Sequence, residues 1–113
     1  DIPLQTLDSG PETGDVLVLG WGSTYGAIKS AVAELQAQGK TVAHAHLRHL
    51  RPFPANLGTM LKQYKKVLIP EINNGQLIRI IRDKYLVDAV GYNKIKGVPI
   101  TRTELVKAIC DLL

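Results

Sequence analysis

Residues 15–26, Asp-Val-Leu-Val-Leu-Gly-Trp-Gly-Ser-Thr-Tyr-Gly, constrain the fold more than any other stretch, because they turn a buried strand into a helix within a few residues. Val16 to Leu19 form an apolar run too short for a helix and suited to a strand covered on both faces. Gly20 and Gly22 then permit backbone angles that a side chain would forbid. Ser23 or Thr24 is placed to accept a hydrogen bond from the free amides of the helix that follows. A helix start of this kind also attracts anions. The spacing argues against a nucleotide turn, since the glycines fall at G-x-G-x-x-x-G, Tyr25 stands where a third glycine would be needed, and no P-loop lysine follows. The sequence favours a turn that joins strand to helix.

The rest of the chain repeats the strand-then-helix pattern. Residues 1–14 read as a leading segment, with a short edge strand at most and then a loop, and residues 15–113 as one domain. The first helix is expected over 24–38, where Ile28, Ala31, Val32 and Leu35 recur at helical spacing, and Gly39 stops it. Thr41 to Leu47 alternates as a strand, with His44 and His46 on one face and Ala43, Ala45 and Leu47 on the other. A His-x-His pair on a strand can bind metal, but no third ligand has convincing spacing. Two histidines satisfied by hydrogen bonds, under a helix or at an interface, is the favoured reading.

Arg48 to Pro54 must leave the sheet, because its prolines cannot donate to a ladder. A short helix is expected over 55–64, a strand over 66–70, and a helix over 76–86. In that last helix Leu77, Ile78, Ile80 and Ile81 make a surface wide enough to be covered on two sides. Asp88 to Tyr92 reads as a short strand and 93–97 as a basic turn. Thr101-x-x-Glu104 is a capping box opening a helix over 102–112, with Leu105, Val106, Ile109 and Leu113 turned inward.

Strands alternating with helices imply parallel strands joined by right-handed crossovers, and the strand exits then gather at one edge, where ligands or partners are met. Trp21, Ser23, Thr24, Tyr25, His49, Arg51, Phe53, Glu71, Asn73, Asn74 and Gln76 are expected there. At 113 residues the chain can bury a real core, but it is short for an enzyme that must hold both cofactor and substrate. The net charge of +4 is spread along the sequence. With no basic run interleaved with aromatics, a nucleic-acid platform is not expected. No apolar stretch is long enough to span a bilayer, so no membrane role is expected. The single cysteine, Cys110, sits among apolar residues of the last helix and reads as a small core residue, which fits a reducing cytoplasmic setting. The only methionine is Met60, and the chain is expected to be a piece of a larger subunit.

Three motifs in order, Gly20-Trp21-Gly22-Ser23-Thr24-Tyr25-Gly26, Leu47 to Pro54 with its Arg-Pro-Phe-Pro ending, and Pro70 to Leu77, resemble the C-terminal domain of the alpha subunit of 2-oxoacid:ferredoxin oxidoreductases, most closely the 2-oxoglutarate type. The resemblance implies a transketolase C-terminal-like fold. That fold is a three-layer α/β/α sandwich around a five-stranded, mostly parallel sheet with an antiparallel leading strand, here Leu4 to Leu7. It implies a complex that oxidatively decarboxylates a 2-oxoacid to its acyl-coenzyme A and reduces ferredoxin. Thiamine diphosphate, magnesium and the iron-sulfur cluster would be held elsewhere in the complex, and no cofactor by this chain. Its own role would be packing against other domains of the alpha subunit and against the beta subunit, without catalytic residues. Trp21, Arg51, Phe53, Glu71, Asn73 and Gln76 match the motifs and would serve loop architecture and domain contacts. Asn73-Asn74 departs from the pattern, in which an apolar residue usually precedes the glycine.

Arg51 and Glu71, on neighbouring strand exits, are expected to form an ion pair that fixes the edge. A Ser23, His49, Glu71 triad lacks a nucleophile elbow. The competing reading, from a different class, is a stand-alone module binding a nucleotide or other anionic metabolite at the Gly20 to Gly26 turn and the Arg51 loop.

Overall fold

The computed structural model describes residues 2–72, 75–94 and 98–113. The chain runs β1 (Gly14–Trp21), a 3-10 turn (Gly22–Thr24), α1 (Tyr25–Ala37), β2 (Val42–Leu47), α2 (Leu57–Leu61), β3 (Tyr64–Glu71), α3 (Gln76–Tyr85), β4 (Ala89–Asn93) and α4 (Arg102–Cys110). The strands form one sheet in the order β2-β1-β3-β4, and every pairing is parallel. The first crossover runs one way from β1 and the second returns across it, so the connections reverse direction beside β1.

Period-two alternation sorts the strands between two cores. Val16 and Val18 of β1 join Val42 and Leu68 under α1 and α4, which contribute Ile28, Ala31, Val32, Leu35, Leu105 and Ile109. Leu17 and Leu19 face the other way, with Ala43, Ala45, Leu47, Val67 and Ile69, toward Leu57 and Leu61 of α2 and Leu77, Ile78 and Ile81 of α3. Each large apolar side chain buried this way contributes roughly 1.5–3 kcal/mol against the entropy of ordering the chain. The result is the expected three-layer α/β/α arrangement. The Thr101–Glu104 capping box forms at the start of α4.

Several expectations need correction. The sheet has four strands among the described residues, not five, and the antiparallel leading strand is absent. The backbone of Gln5 is satisfied by a side chain: its N–H donates to Asn56 Oδ1 at 2.7 Å and its carbonyl accepts from Asn56 Nδ2 at 2.9 Å. Leu4 is 65% exposed, and of the segment's apolar residues Leu7 packs against the core. The antiparallel tendency survives as one isolated bridge, Ser9 to His44. Tyr64 opens β3 and does not end α2, and its hydroxyl donates to the Pro11 carbonyl at 2.5 Å. Cys110 is exposed, and so is Leu113 beyond the end of α4. Ile80 on α3 was expected to be covered but is 47% exposed, because only one side of the helix meets the sheet.

Candidate functional site

The strand-exit edge is built around the end of β1. Gly22 has φ +64°, the left-handed turn that glycine tolerates. Gly20 is needed for a different reason than the one read from the sequence. A Cβ there would lie 2.4 Å from Ile28 Cδ1 and 2.8 Å from His46 Nδ1, so the glycine makes room for side chains from α1 and β2. No side chain caps the start of α1. Thr24 at that position donates its hydroxyl back to the Trp21 carbonyl at 2.9 Å.

On the α1 side of the sheet lies a sealed polar cluster. His46 Nε2 is 3.1 Å from the Gly22 carbonyl, which can only accept, so His46 donates from Nε2 and offers Nδ1 as an acceptor. His44 Nε2 then donates to that Nδ1 at 3.3 Å. The Tyr25 ring stands 5.3 Å from the His44 ring and 5.0 Å from that of His46, centroid to centroid. Burial lowers the pKa of His44 to about 4 and also lowers that of His46, and a proton on His46 Nδ1 would face the His44 donor. Asp8 anchors the leading segment beside this cluster, accepting from the His46 amide at 2.8 Å and pairing with Arg48 at 2.8 Å. Burial raises the pKa of Asp8, but the Arg48 guanidinium and the His46 amide outweigh it and hold the carboxyl below its ordinary value. Of the two sequence readings of the histidine pair, the geometry is that of the hydrogen-bonded one.

On the opposite side, an open cleft of about 240 Å³ is lined by Trp21, Leu50, Arg51, Phe53, Gln76, Leu77 and Ile80. Four of the expected edge residues, Trp21, Arg51, Phe53 and Gln76, meet here. The Phe53 ring leans on Tyr85 at 6.0 Å between centroids. The other expected residues do not join them. Ser23 lines a separate hollow with Trp21, Gly22 and Ile72, Thr24 is buried, Tyr25 faces the histidines, and His49 lines a groove beside the leading segment. Asn73 and Asn74 lie outside the described residues.

Glu71 is buried and does not pair with Arg51, and no ion pair joins the two among the described residues. Its carboxylate accepts from the amides of Leu77 at 3.1 Å and Ile78 at 3.3 Å, so it closes the N-terminus of α3 across the Gly75 turn. A carboxylate there meets two orphan donors and the positive end of the helix dipole. Arg51 is left exposed. Sequence reading missed Leu50, Leu77 and Ile80 as cleft residues; the over-wide apolar surface of α3 was the signal that could have found Ile80.

Residues 14–104 match the family described as "Pyruvate:ferredoxin oxidoreductase core domain II". The chain is 48% identical over 106 residues to the 2-oxoglutarate oxidoreductase subunit KorA of Mycobacterium tuberculosis, a match spanning 92% of this chain and 16% of the relative. It is 30% identical over 115 residues to the 2-oxoacid:ferredoxin oxidoreductase 1 alpha subunit of Aeropyrum pernix, spanning 92% and 17%. The chain thus spans about a sixth of the length of these curated relatives. Among solved structures, the 2-oxoglutarate:ferredoxin oxidoreductase of Magnetococcus marinus superposes with a TM-score of 0.89 at 28% identity, covering 97% of this chain and 20% of that one. A split-gene transketolase shares the fold, with a TM-score of 0.74 at 16% identity over 96% of this chain and 42% of that one. The resemblance drawn from the three motifs is borne out, and the chain belongs to the pyruvate:ferredoxin oxidoreductase core domain II family.

Proposed function

We propose that this chain is a structural and subunit-interaction domain of a 2-oxoglutarate:ferredoxin oxidoreductase alpha subunit. The full complex would oxidatively decarboxylate a 2-oxoacid to its acyl-coenzyme A and pass electrons to ferredoxin. The similarity to KorA supports the choice of enzyme. The observation that carries the domain's role is the cleft beside Trp21, where α3 leaves Ile80 47% exposed next to two half-buried aromatic rings. In a larger subunit that surface would be covered by the neighbouring domains or by the beta subunit.

The donor set argues for a division of labour. An iron-sulfur cluster takes several cysteine thiolates, and this chain has one cysteine. Among the described residues no three His, Cys, Asp or Glu side chains converge as a metal site. Those groups would belong to other parts of the complex.

The test is Ile80→Glu in the full-length enzyme. Subunit assembly or ferredoxin-linked activity should fall, while the melting temperature of the domain alone should hardly change, since the side chain is already half in water. Wild-type assembly and activity would overturn the proposal. A thermal-shift panel with coenzyme A, thiamine diphosphate and magnesium, 2-oxoglutarate, ADP and NAD separates the alternative. A ligand at 1,000 times its Kd would add about 4 kcal/mol, and a shift abolished by Arg51→Ala would favour the binding module.

A further inference from the structure

The cleft beside Trp21 has a size, a chemistry and an unspent charge that together define what fills it. Its volume, about 240 Å³, falls below the roughly 300–1,000 Å³ of ordinary small-molecule sites and suits one large anchoring side chain. Its walls are apolar at Trp21, Phe53 and Ile80, and its polar groups are Arg51 and Gln76. None of its described lining residues carries a carboxylate.

Arg51 is the informative member. Arg48 pairs with Asp8, Arg102 with Glu34, and Arg82 donates to the Ala89 carbonyl, while Arg79, also exposed and without an ion pair among the described residues, lies outside the cleft. Arg51 is exposed at the rim with no ion-pair partner among the described residues, and Glu71, the carboxylate expected to meet it, is committed to the α3 amides. A guanidinium beside an apolar pocket presents a planar fork that a carboxylate can fill bidentately. The Gln76 amide offers both a donor and an acceptor for a passing main chain.

We infer that the cleft receives an acidic-apolar polypeptide segment from the rest of the enzyme. A large aliphatic or aromatic side chain enters between Trp21, Phe53 and Ile80, and an Asp or Glu within two residues of it pairs with Arg51. This rests on the interaction-domain reading above and specifies the partner of that surface. The apolar anchor supplies most of the affinity and the charge pair fixes register.

The experiment uses the full-length assembled enzyme with the photoreactive residue p-benzoylphenylalanine in place of Phe53, and identifies the crosslinked peptide by mass spectrometry. The expected peptide has an acidic residue within two positions of a large apolar one. Arg51→Glu should then cut the crosslink yield about tenfold, reversing the charge of the identified acidic residue should restore it, and Arg51→Lys should keep part of it. A crosslinked peptide without an acidic residue, no polypeptide crosslink at all, or a yield unchanged by Arg51→Glu overturns the inference. If Ile80→Glu still disrupts assembly while Arg51→Glu leaves the yield unchanged, the acidic segment is wrong and the interaction domain stands. If neither substitution has an effect, both fail.

Discussion

The two sides of the sheet beside β1 and β2 are furnished in opposite ways. Under α1, the polar face of β2 is closed by His44, His46 and Tyr25, and each histidine hydrogen bond ends inside the chain. On the α2 and α3 side, the core is apolar up to the buried Glu71 that caps α3, yet it ends in a cleft whose rings and Ile80 are left partly in water. The polar region is self-sufficient, and the apolar one has surface to spare. Buried polar groups must be satisfied within the fold, whereas exposed apolar surface can wait for a partner.

Breaking the self-sufficient parts should cost the most. Glu71→Ala leaves the Leu77 and Ile78 amides without their acceptor at a buried helix start, and a loss of about 2–4 kcal/mol is expected in urea unfolding. Glu71→Gln, which keeps one acceptor oxygen, should lose less. Acid attacks the histidine cluster next. With the His44 pKa lowered to about 4 in the folded state and near 6.5 in the unfolded chain, the unfolded state binds more protons between those values. Stability should therefore be full above pH 6.5 and fall by about 2–3 kcal/mol as the pH drops toward 4. Asp8, whose folded pKa is depressed below its ordinary value of 3.8, adds a further loss at more acid pH than that range. Unfolding curves measured at pH 7 and pH 4.5 would read this effect, and His44→Gln should flatten it.

Gly20→Ala sharpens the contrast, since the new methyl group meets Ile28 Cδ1 and the His46 ring on the sealed side. A destabilisation of about 1–3 kcal/mol is expected by thermal unfolding. At the small end, Ile80→Ser should change the stability of the domain by less than about 0.5 kcal/mol, because the side chain is already half in water. A large loss would mean that Ile80 serves this domain's own core.

Much of this was legible in the sequence for physical reasons that can be named. The apolar run of Val16 to Leu19 marked a strand covered on both faces, the alternation of Thr41 to Leu47 a strand with its faces correctly sorted, and the i, i+3, i+4 stripe of Ile28 to Leu35 marked α1. The capping box at Thr101 was readable because both partners are close in sequence. What could not be read were pairings across the fold. Asn56 satisfying Gln5 in place of a strand ladder is a contact between residues far apart in the chain, and so is the approach of His46 to Gly20. The expected Arg51 and Glu71 pair failed because opposite charge on adjacent loops says nothing about which donors stand closer, and the α3 amides do.

The flanks of the sheet carry a consequence of their own. An unprotected outermost strand is an invitation to fibrous growth, each chain extending the hydrogen-bonding lattice of the last. Here the β2 flank is occupied by Asp8 and Ser9, whose backbone bonds to His44, and on β4 the Ala89 carbonyl is taken by two N–H groups of Arg82. A further strand is blocked on β2 at His44, and β4 loses one acceptor. The guard against growth through the sheet is thus strongest on the β2 flank, where the leading segment lies.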